Sequence, residues 1–207
     1  MRAIEAAKRG PGGSPIARLI ALTMCVGVLA GGGCATSYSE LASTGPLDFG
    51  MADGGGALYG MCHSGDGTSN SLGGLRGWNS SSKDALVLDS VAVGGGVGVE
   101  VAESYIVPLA GVDSESFGSG FTLPSEQAPG AEDALSEEQL ELWQKRIPLE
   151  GAQIGPGEAF NLLVGVVPTV DRGATSEWLE VRYHVGGRRH ISYPGIGAEF
   201  LGPDECA

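Results

Sequence analysis

The sequence predicts an all-β fold, an antiparallel β-sandwich with one short helix, that begins near residue 47. Many short apolar runs, rich in valine and leucine, are separated by glycine, proline, serine and aspartate, which is typical of strands joined by turns. Several of these runs alternate apolar and polar residues with a period of two, as half-buried strands do. The chain holds 36 glycines. They follow no strict three-residue period, which excludes a collagen helix.

Alternation and short apolar runs predict four strands in the first half of the domain, at 47–51, 57–63, 85–93 and 97–109. The strand at 85–93 contains Asp89 and Ser90, two polar residues that indicate a β-bulge. Glycine and serine dominate residues 64–82, which predicts a long loop with Trp78 packed on the sheet.

An acidic segment interrupts the strands at residues 110–136, which are rich in proline, glycine and serine. Eight acidic residues and no basic residue lie between 113 and 141. This composition predicts a mobile, solvated surface loop. The alternative is an acidic cation site, which would need carboxylates that converge on one point.

One helix is predicted, from Glu137 to about Lys145. Ser136 at the N-cap and Gln139 three residues later form a capping-box pattern. The spacing of Leu140 and Trp143 places both on one face of this helix.

The second half of the domain contains the most apolar strand and the clearest hairpin. The Gly155-Pro156-Gly157 sequence predicts a type II turn that leads into 158–167, a run so apolar that both of its faces must be buried. Residues 179–185 alternate strictly and predict a half-buried strand.

The turn after this strand contains Gly186 and Gly187, and its length decides which side chains face the core. A two-residue loop would turn Arg188 and His190 inward, whereas a three-residue loop would match Ile191 with Tyr183 and Tyr193 with Val181. Burial of unpaired arginine and histidine is costly, so we predict the three-residue loop.

Seven to nine short strands with long turns predict a sandwich of the immunoglobulin-like type. The GPGE turn that feeds an apolar strand also resembles the immunoglobulin-like domains of many bacterial secreted proteins. The Cys–Trp–Cys core signature of antibody domains is absent, so the strand topology stays open.

The N-terminus predicts export. Four basic residues precede a short apolar run and three glycines, as in a secretory signal. Gly32, Gly33 and Cys34 then resemble the lipobox of bacterial lipoproteins, although Gly31 stands where that family usually has leucine. The resemblance implies a signal peptide at 1–33, a lipid on Cys34 and a location at the extracytoplasmic face of the cell membrane. Cleavage after Ala35, which would give a secreted protein, and an uncleaved anchor are the alternatives.

If the signal peptide ends at residue 33, residues 34–46 form a flexible tether and residues 47–207 form the domain. The whole chain carries a net charge of −13. Residues 1–33 hold four bases and one acid, so the remainder carries −16. This charge argues against nucleic acid as a partner and against adsorption to anionic lipid. The membrane contact is therefore assigned to the acyl chain, and no protein or small-molecule partner is identified.

The chain has four cysteines. Cys25 lies in the predicted signal and Cys34 is the predicted lipidation site, which leaves two. Outside the cytoplasm Cys62 and Cys206 are expected to pair as a disulfide. The pattern predicts no cofactor, no metal site and no catalytic residue, and hence a non-catalytic binding or structural module. The alternative function is an extracytoplasmic copper or zinc protein, with ligands drawn from four residues: Met61, His63, His184 and His190.

Arginines cluster around the predicted hairpin at Arg182, Arg188 and Arg189. We expect this cluster to pair with Glu177 and Glu180, and it could instead receive a carboxylate from a partner.

Overall fold

The computed structural model describes residues 41–50, 57–62, 69–72, 74–109, 122–124 and 130–202. The chain divides into residues 1–34 and residues 35–207, and every described element belongs to the second unit. The predictions for the signal peptide at 1–33, for lipidation at Cys34, and for His63 and Cys206 concern residues outside the described ranges.

The described residues form thirteen strands, one α-helix and one short 3-10 helix. The strands are β1 (Leu47–Asp48), β2 (Ala57–Cys62), β3 (Asn70–Ser71), β4 (Leu75–Asn79), β5 (Leu86–Gly94), β6 (Val99–Leu109), β7 (Ile147–Pro148), β8 (Gln153–Ile154), β9 (Ala159–Pro168), β10 (Thr175–Ser176), β11 (Trp178–Val185), β12 (Arg188–Ser192) and β13 (Ile196–Leu201). The 3-10 helix (Ala131–Ala134) and α1 (Glu137–Gln144) lie between β6 and β7.

These strands form three sheets. The first sheet has the order β1-β4-β9-β6-β7, with β3 also paired to β9; the second sheet is β12-β11-β5-β8, and the third is β10-β13-β2. The pairing of β13 with β2 is parallel, whereas the hairpin of β11 and β12 and the central pair of β6 and β9 are antiparallel. The predicted all-β sandwich is confirmed, and the immunoglobulin-like topology stays a prediction.

A single apolar cluster fills the space between the first sheet and the other two. Leu162 and Val164 of the first sheet pack in this cluster with Leu88 and Val181 of the second and Phe200 of the third. Each of these side chains is at most 5% exposed. Burial of this apolar surface is the main force that holds the layers together.

The other face of the first sheet is covered by α1. Val107 and Leu163 point outward from β6 and β9, where they pack with Leu123 and with Trp143 of α1. The prediction that residues 158–167 are buried on both faces is thereby confirmed, because β9 carries apolar side chains into both clusters.

The capping box of α1 is present as predicted. The backbone N–H of Gln139 donates to Ser136 Oγ (3.2 Å), and the backbone N–H of Ser136 donates to Gln139 Oε1 (3.0 Å). Two of the N-terminal backbone groups that a helix leaves open are satisfied in this way.

The predicted loop at 64–82 was partly wrong, because it contains β3 and β4. Its glycine content suggested a loop, but Gly77 has a packing role within β4. A Cβ at that position would lie 2.7 Å from the ring of Phe160. Glycine therefore permits close packing here, an effect that composition does not separate from loop formation.

The predicted mobile loop at 110–136 also needs correction, since part of it is packed. Leu123 is fully buried beside Trp143, and its backbone N–H donates to the carbonyl of Ser69 (3.1 Å). The 3-10 helix at Ala131–Ala134 adds regular structure near its end. One leucine among many polar residues is enough to bind a segment to an apolar surface.

The predicted tether at 34–46 is too long at its C-terminal end, because residues 43–46 lie against β12. The backbone N–H of Thr44 donates to the carbonyl of Ile191 (2.7 Å), and the N–H of Tyr193 donates to Ser43 Oγ (3.0 Å). The hydroxyl of Tyr183 donates to the carbonyl of Thr44 and accepts from the N–H of Leu47 (3.1 Å). These contacts satisfy backbone groups along an edge strand of the second sheet.

Replacement of Tyr183 by phenylalanine is expected to lower the free energy of unfolding by about 1–2 kcal/mol, since two hydrogen bonds are lost. Burial raises the pKa of Tyr183, although the hydrogen bond from Leu47 partly lowers it. The neutral hydroxyl therefore stabilises the folded state fully below about pH 10, and this contribution disappears as the pH rises through the raised pKa. Denaturant unfolding between pH 8 and 11 should show a weaker alkaline loss of stability in Tyr183→Phe than in the wild type. An identical alkaline slope in both proteins would contradict the prediction.

Candidate functional site

The β11–β12 hairpin has a two-residue turn. Val185 pairs with Arg188, and Tyr183 pairs with His190, which leaves Gly186 and Gly187 as the loop. The φ angles of these glycines are 55° and 78°. Two positive φ angles are what a type I′ turn requires, and this turn matches the twist of the paired strands.

The predicted three-residue loop was therefore wrong. The inward His190 is accommodated because its ring stacks on Tyr183 at 5.5 Å between centroids. The inward Ser192 donates from its hydroxyl to the carbonyl of Leu47 (3.3 Å). Arg188 is next to the turn and stays exposed. The expected cost of buried, unpaired polar groups does not arise.

This register removes the predicted pair of histidines. His184 lies opposite Arg189 while His190 lies opposite Tyr183, so the two imidazoles are on opposite faces of the sheet. Met61, another candidate ligand, is only 3% exposed. Within the part of the chain that the structure describes, no group of three histidine, cysteine or acidic residues could hold a metal ion.

The β-bulge predicted at Asp89 and Ser90 is confirmed. Arg182 pairs with Ser90 and Tyr183 pairs with Leu88, so Asp89 is the extra residue on β5. The bulge brings the carboxylate of Asp89 to 2.8 Å from Nδ1 of His184. A bulge that redirects one side chain in this way is a common feature of functional surfaces.

The bulge and the hairpin together border a groove of about 580 Å³ at β11 and β12. We call it the arginine groove. Its lining is Asp89, Arg182, Tyr183, His184, Gly187, Arg189, His190 and Ile191.

The side chains along the arginine groove differ in how firmly they are held. Arg182 Nε donates to Glu180 Oε1 (2.6 Å), as the predicted pairing of this arginine with Glu180 requires. The second held side chain is His184, whose Nδ1 is hydrogen-bonded to Asp89 Oδ1 (2.8 Å). Arg188 and Arg189 are exposed and have no carboxylate within 4 Å in the described ranges. Two cations at the hairpin are thus available to an external anion.

Tyr193 follows β12 and interacts with the same Glu180. Burial raises the pKa of Tyr193, the negative charge of Glu180 raises it further, and Arg182 opposes the rise. Tyr193 is therefore neutral under ordinary conditions and acts at this surface as a hydrogen-bonding, amphipathic group.

A second polar cluster lies on the outer face of the first sheet, where it attaches α1 to β6. Arg146 lies over the ring of Trp143 at 3.7 Å and donates from Nη1 to the carbonyl of the same residue (2.9 Å). Tyr105 donates to Glu103 (3.2 Å), and the hydroxyl of Ser69 donates to the same carboxylate. Burial raises the pKa of Tyr105, and the negative charge of Glu103 raises it further. Since these groups are bonded to one another, the cluster has a structural role.

Comparisons with protein-family models, with curated proteins and with solved structures give no match for this chain. Among the described residues no helix combines the length and apolar character needed to cross a bilayer.

The sequence identified the arginines of this site but not the groove they form. The wrong register placed Ile191 and Tyr193 on the inner face and so concealed the outer surface between Asp89 and Arg189. The Gly-Gly pair was the signal that could have revealed it, because two adjacent glycines strongly favour a two-residue type I′ turn.

Proposed function

We propose that this protein is an exported lipoprotein, anchored through Cys34, whose β-sandwich is a non-catalytic module that binds an anionic group in the arginine groove. The observation that carries the binding proposal is Arg189, an exposed arginine that lines a groove of about 580 Å³, with a second exposed arginine, Arg188, next to it at the turn. A guanidinium presents several donors in one plane and is well suited to bind carboxylate or phosphate.

The groove is suited to binding rather than to catalysis. Arg182 and His184 are each held by a carboxylate, Glu180 at 2.6 Å and Asp89 at 2.8 Å. Their positions are thereby defined, while Arg189 at the same groove keeps its donors for a ligand. A surface that combines one fixed and one uncommitted guanidinium can orient an anion.

We further propose that Cys62 and Cys206 form a disulfide. The pairing of two strands supports this bridge. In the parallel pair of β13 and β2, Cys62 is the register partner of Leu201, and Cys206 follows Leu201 by only five residues. Such a chain spans at most about 18 Å, so Cys206 is within reach of Cys62.

The anchor and the bridge are tested together by the intact mass of the protein purified from membranes, with and without reductant. We expect a mature chain that begins at Cys34, carries added acyl mass, and gains two hydrogens on reduction. Cys34→Ser should abolish the acyl mass and leave the two-hydrogen difference unchanged. A mature chain that begins after Ala35 would overturn the anchor, and a mass unaffected by reductant would overturn the bridge.

The binding function is tested by titration of the mature protein with inorganic phosphate, followed by backbone amide shifts in solution NMR. We expect shifts concentrated between residues 182 and 191. The double variant Arg188→Gln/Arg189→Gln should weaken the affinity about fivefold, since surface ion pairs contribute about 0.5 kcal/mol each.

The matched control is Lys145→Gln/Arg172→Gln, which removes two exposed cations elsewhere on the domain. It should bind phosphate as the wild type does. Equal weakening in both double variants would indicate only the effect of net charge and would contradict a specific site.

A further inference from the structure

We propose that the natural occupant of the arginine groove is the phosphate of anionic lipid headgroups, so that the hairpin faces the membrane that holds the anchor. This inference rests on the proposed function, because it requires the acyl chain on Cys34. It also requires that a mature chain of net charge −16 presents a basic surface to anionic lipid, which composition alone disfavours.

The path of the chain brings the hairpin near the anchor. Ser43 and Thr44 are hydrogen-bonded to β12 and its C-terminal neighbour, at Tyr193 and Ile191. Only residues 35–42 separate Ser43 from Cys34. A chain of this length spans at most about 30 Å, so a lipid on Cys34 keeps β12 within that distance of the bilayer surface.

Part of the negative charge of the domain lies away from the hairpin. Five acidic residues lie on the 3-10 helix and α1, and α1 covers the outer face of the first sheet: Glu132, Asp133, Glu137, Glu138 and Glu141. The arginines of the hairpin belong to the second sheet, on the other side of the core. A membrane that attracts the hairpin is thus separated from this acidic group by the whole thickness of the sandwich.

Screening by salt ensures that acids at this distance have little effect on the binding of an anion at the hairpin. Packed sheets lie about 10 Å apart, and a helix on the far sheet adds about as much again. The Debye length is about 8 Å at physiological ionic strength, so the acids near α1 act only weakly at the hairpin. The local balance counts instead: the hairpin region carries three guanidinium groups, on Arg182, Arg188 and Arg189, against the two carboxylates of Asp89 and Glu180.

The uncharged side chains of the same face are suited to a lipid surface. Ile191 lines the groove, and Tyr193 follows on the same outer face, and both are partly exposed. Tyrosine favours the boundary between water and hydrocarbon, where its ring contacts apolar groups and its hydroxyl stays hydrated. The combination of arginine, tyrosine and isoleucine favours a headgroup layer over a small soluble anion.

The test places the acylated, mature protein in nanodiscs that contain gadolinium-labelled lipid, and measures relaxation enhancement at backbone amides. We expect strong enhancement at residues 186–191 and weak enhancement at residues 137–144 in discs in which about one lipid in three is phosphatidylglycerol. In pure phosphatidylcholine discs this difference should decrease. Each arginine removed should reduce the ratio of docked to undocked domain about fivefold.

Charge-matched variants separate the possible outcomes. Arg188→Gln/Arg189→Gln should abolish the contrast between the two regions, while Lys145→Gln/Arg172→Gln should keep it. Equal enhancement in both regions, with the protein still inserted through its acyl chain, would overturn the headgroup assignment and leave the proposed function intact. Phosphate binding in solution without any effect of anionic lipid would assign the groove to a soluble anion. Failure of the protein to insert into discs of either composition would instead overturn the anchor itself.

Discussion

Replacement of Trp143 by alanine is expected to lower the free energy of unfolding by about 3–5 kcal/mol, the range measured for large aromatic side chains removed from protein cores. Trp143 is only 1% exposed and packs on Val107 and Leu163 of the first sheet. Its ring also meets the edge of Tyr105 at 5.5 Å and supports the guanidinium of Arg146 at 3.7 Å. The substitution would remove the main contact between α1 and the sheet.

Chemical denaturation followed by circular dichroism measures this loss. Gln144→Ala is the matched control, because Gln144 is exposed on the same helix, and its substitution should change the stability by less than about 0.5 kcal/mol. If Trp143→Ala were no more destabilising than Gln144→Ala, α1 would not be packed on the first sheet as described.

Replacement of Asn79 by alanine is expected to lower the free energy of unfolding by about 3 kcal/mol, since several buried polar groups would lose their partner at once. Asn79 is fully buried, and its Nδ2 donates toward the carbonyls of Asp84 (2.8 Å), Ile154 (3.1 Å) and Gly155 (3.1 Å). Its Oδ1 accepts from the N–H of Ser81 (3.0 Å). One side chain thus joins β4, the loop after it, and the turn between β8 and β9.

Two further variants isolate the donor function of Asn79. Ser81→Ala leaves the hydrogen bonds of Asn79 Nδ2 in place and should cost only about 1 kcal/mol, since Ser81 Oγ accepts from the backbone N–H groups of Lys83 and Asp84. Asn79→Asp keeps the shape but directs a carboxylate at three carbonyl oxygens, so the folded state should favour the protonated acid. Its deficit relative to the wild type is therefore expected to be smaller at pH 4 than at pH 7. A deficit that does not depend on pH would indicate that the amide does not contact these carbonyls.

Features that depend on neighbouring residues were predicted well. The capping box of α1, the type II turn before β9 and the bulge at Asp89 each require only a few adjacent residues of the right kind. The turn is present, with Gly157 at a φ of 72° and a hydrogen bond from Glu158 N–H to the carbonyl of Gly155 (3.1 Å). The burial of both faces of β9 followed from its uninterrupted apolar run.

Features that depend on distant partners were missed. Residues 43–46 looked like a tether because they are small and polar, yet their hydrogen bonds join Thr44 to Ile191, 147 residues away. Leu123 lies in the segment predicted as a mobile acidic loop, and its burial depends on α1 and β9. The register of β12 was predicted wrongly because the inward His190 has a stacking partner, Tyr183, that no local pattern reveals.

The sequence by itself determined that this chain forms a β-sandwich with one capped helix, and that three of its arginines cluster around one hairpin. These properties follow from periodicity, caps and turn residues, which act within a few positions of the chain. Only the tertiary structure decided that the hairpin turns on two glycines, that Asp89 and Arg189 border one groove, and that the helical acids lie on the opposite outer face. Each of these depends on which strands become neighbours, and that is settled by burial of the shared core rather than by any short stretch of sequence.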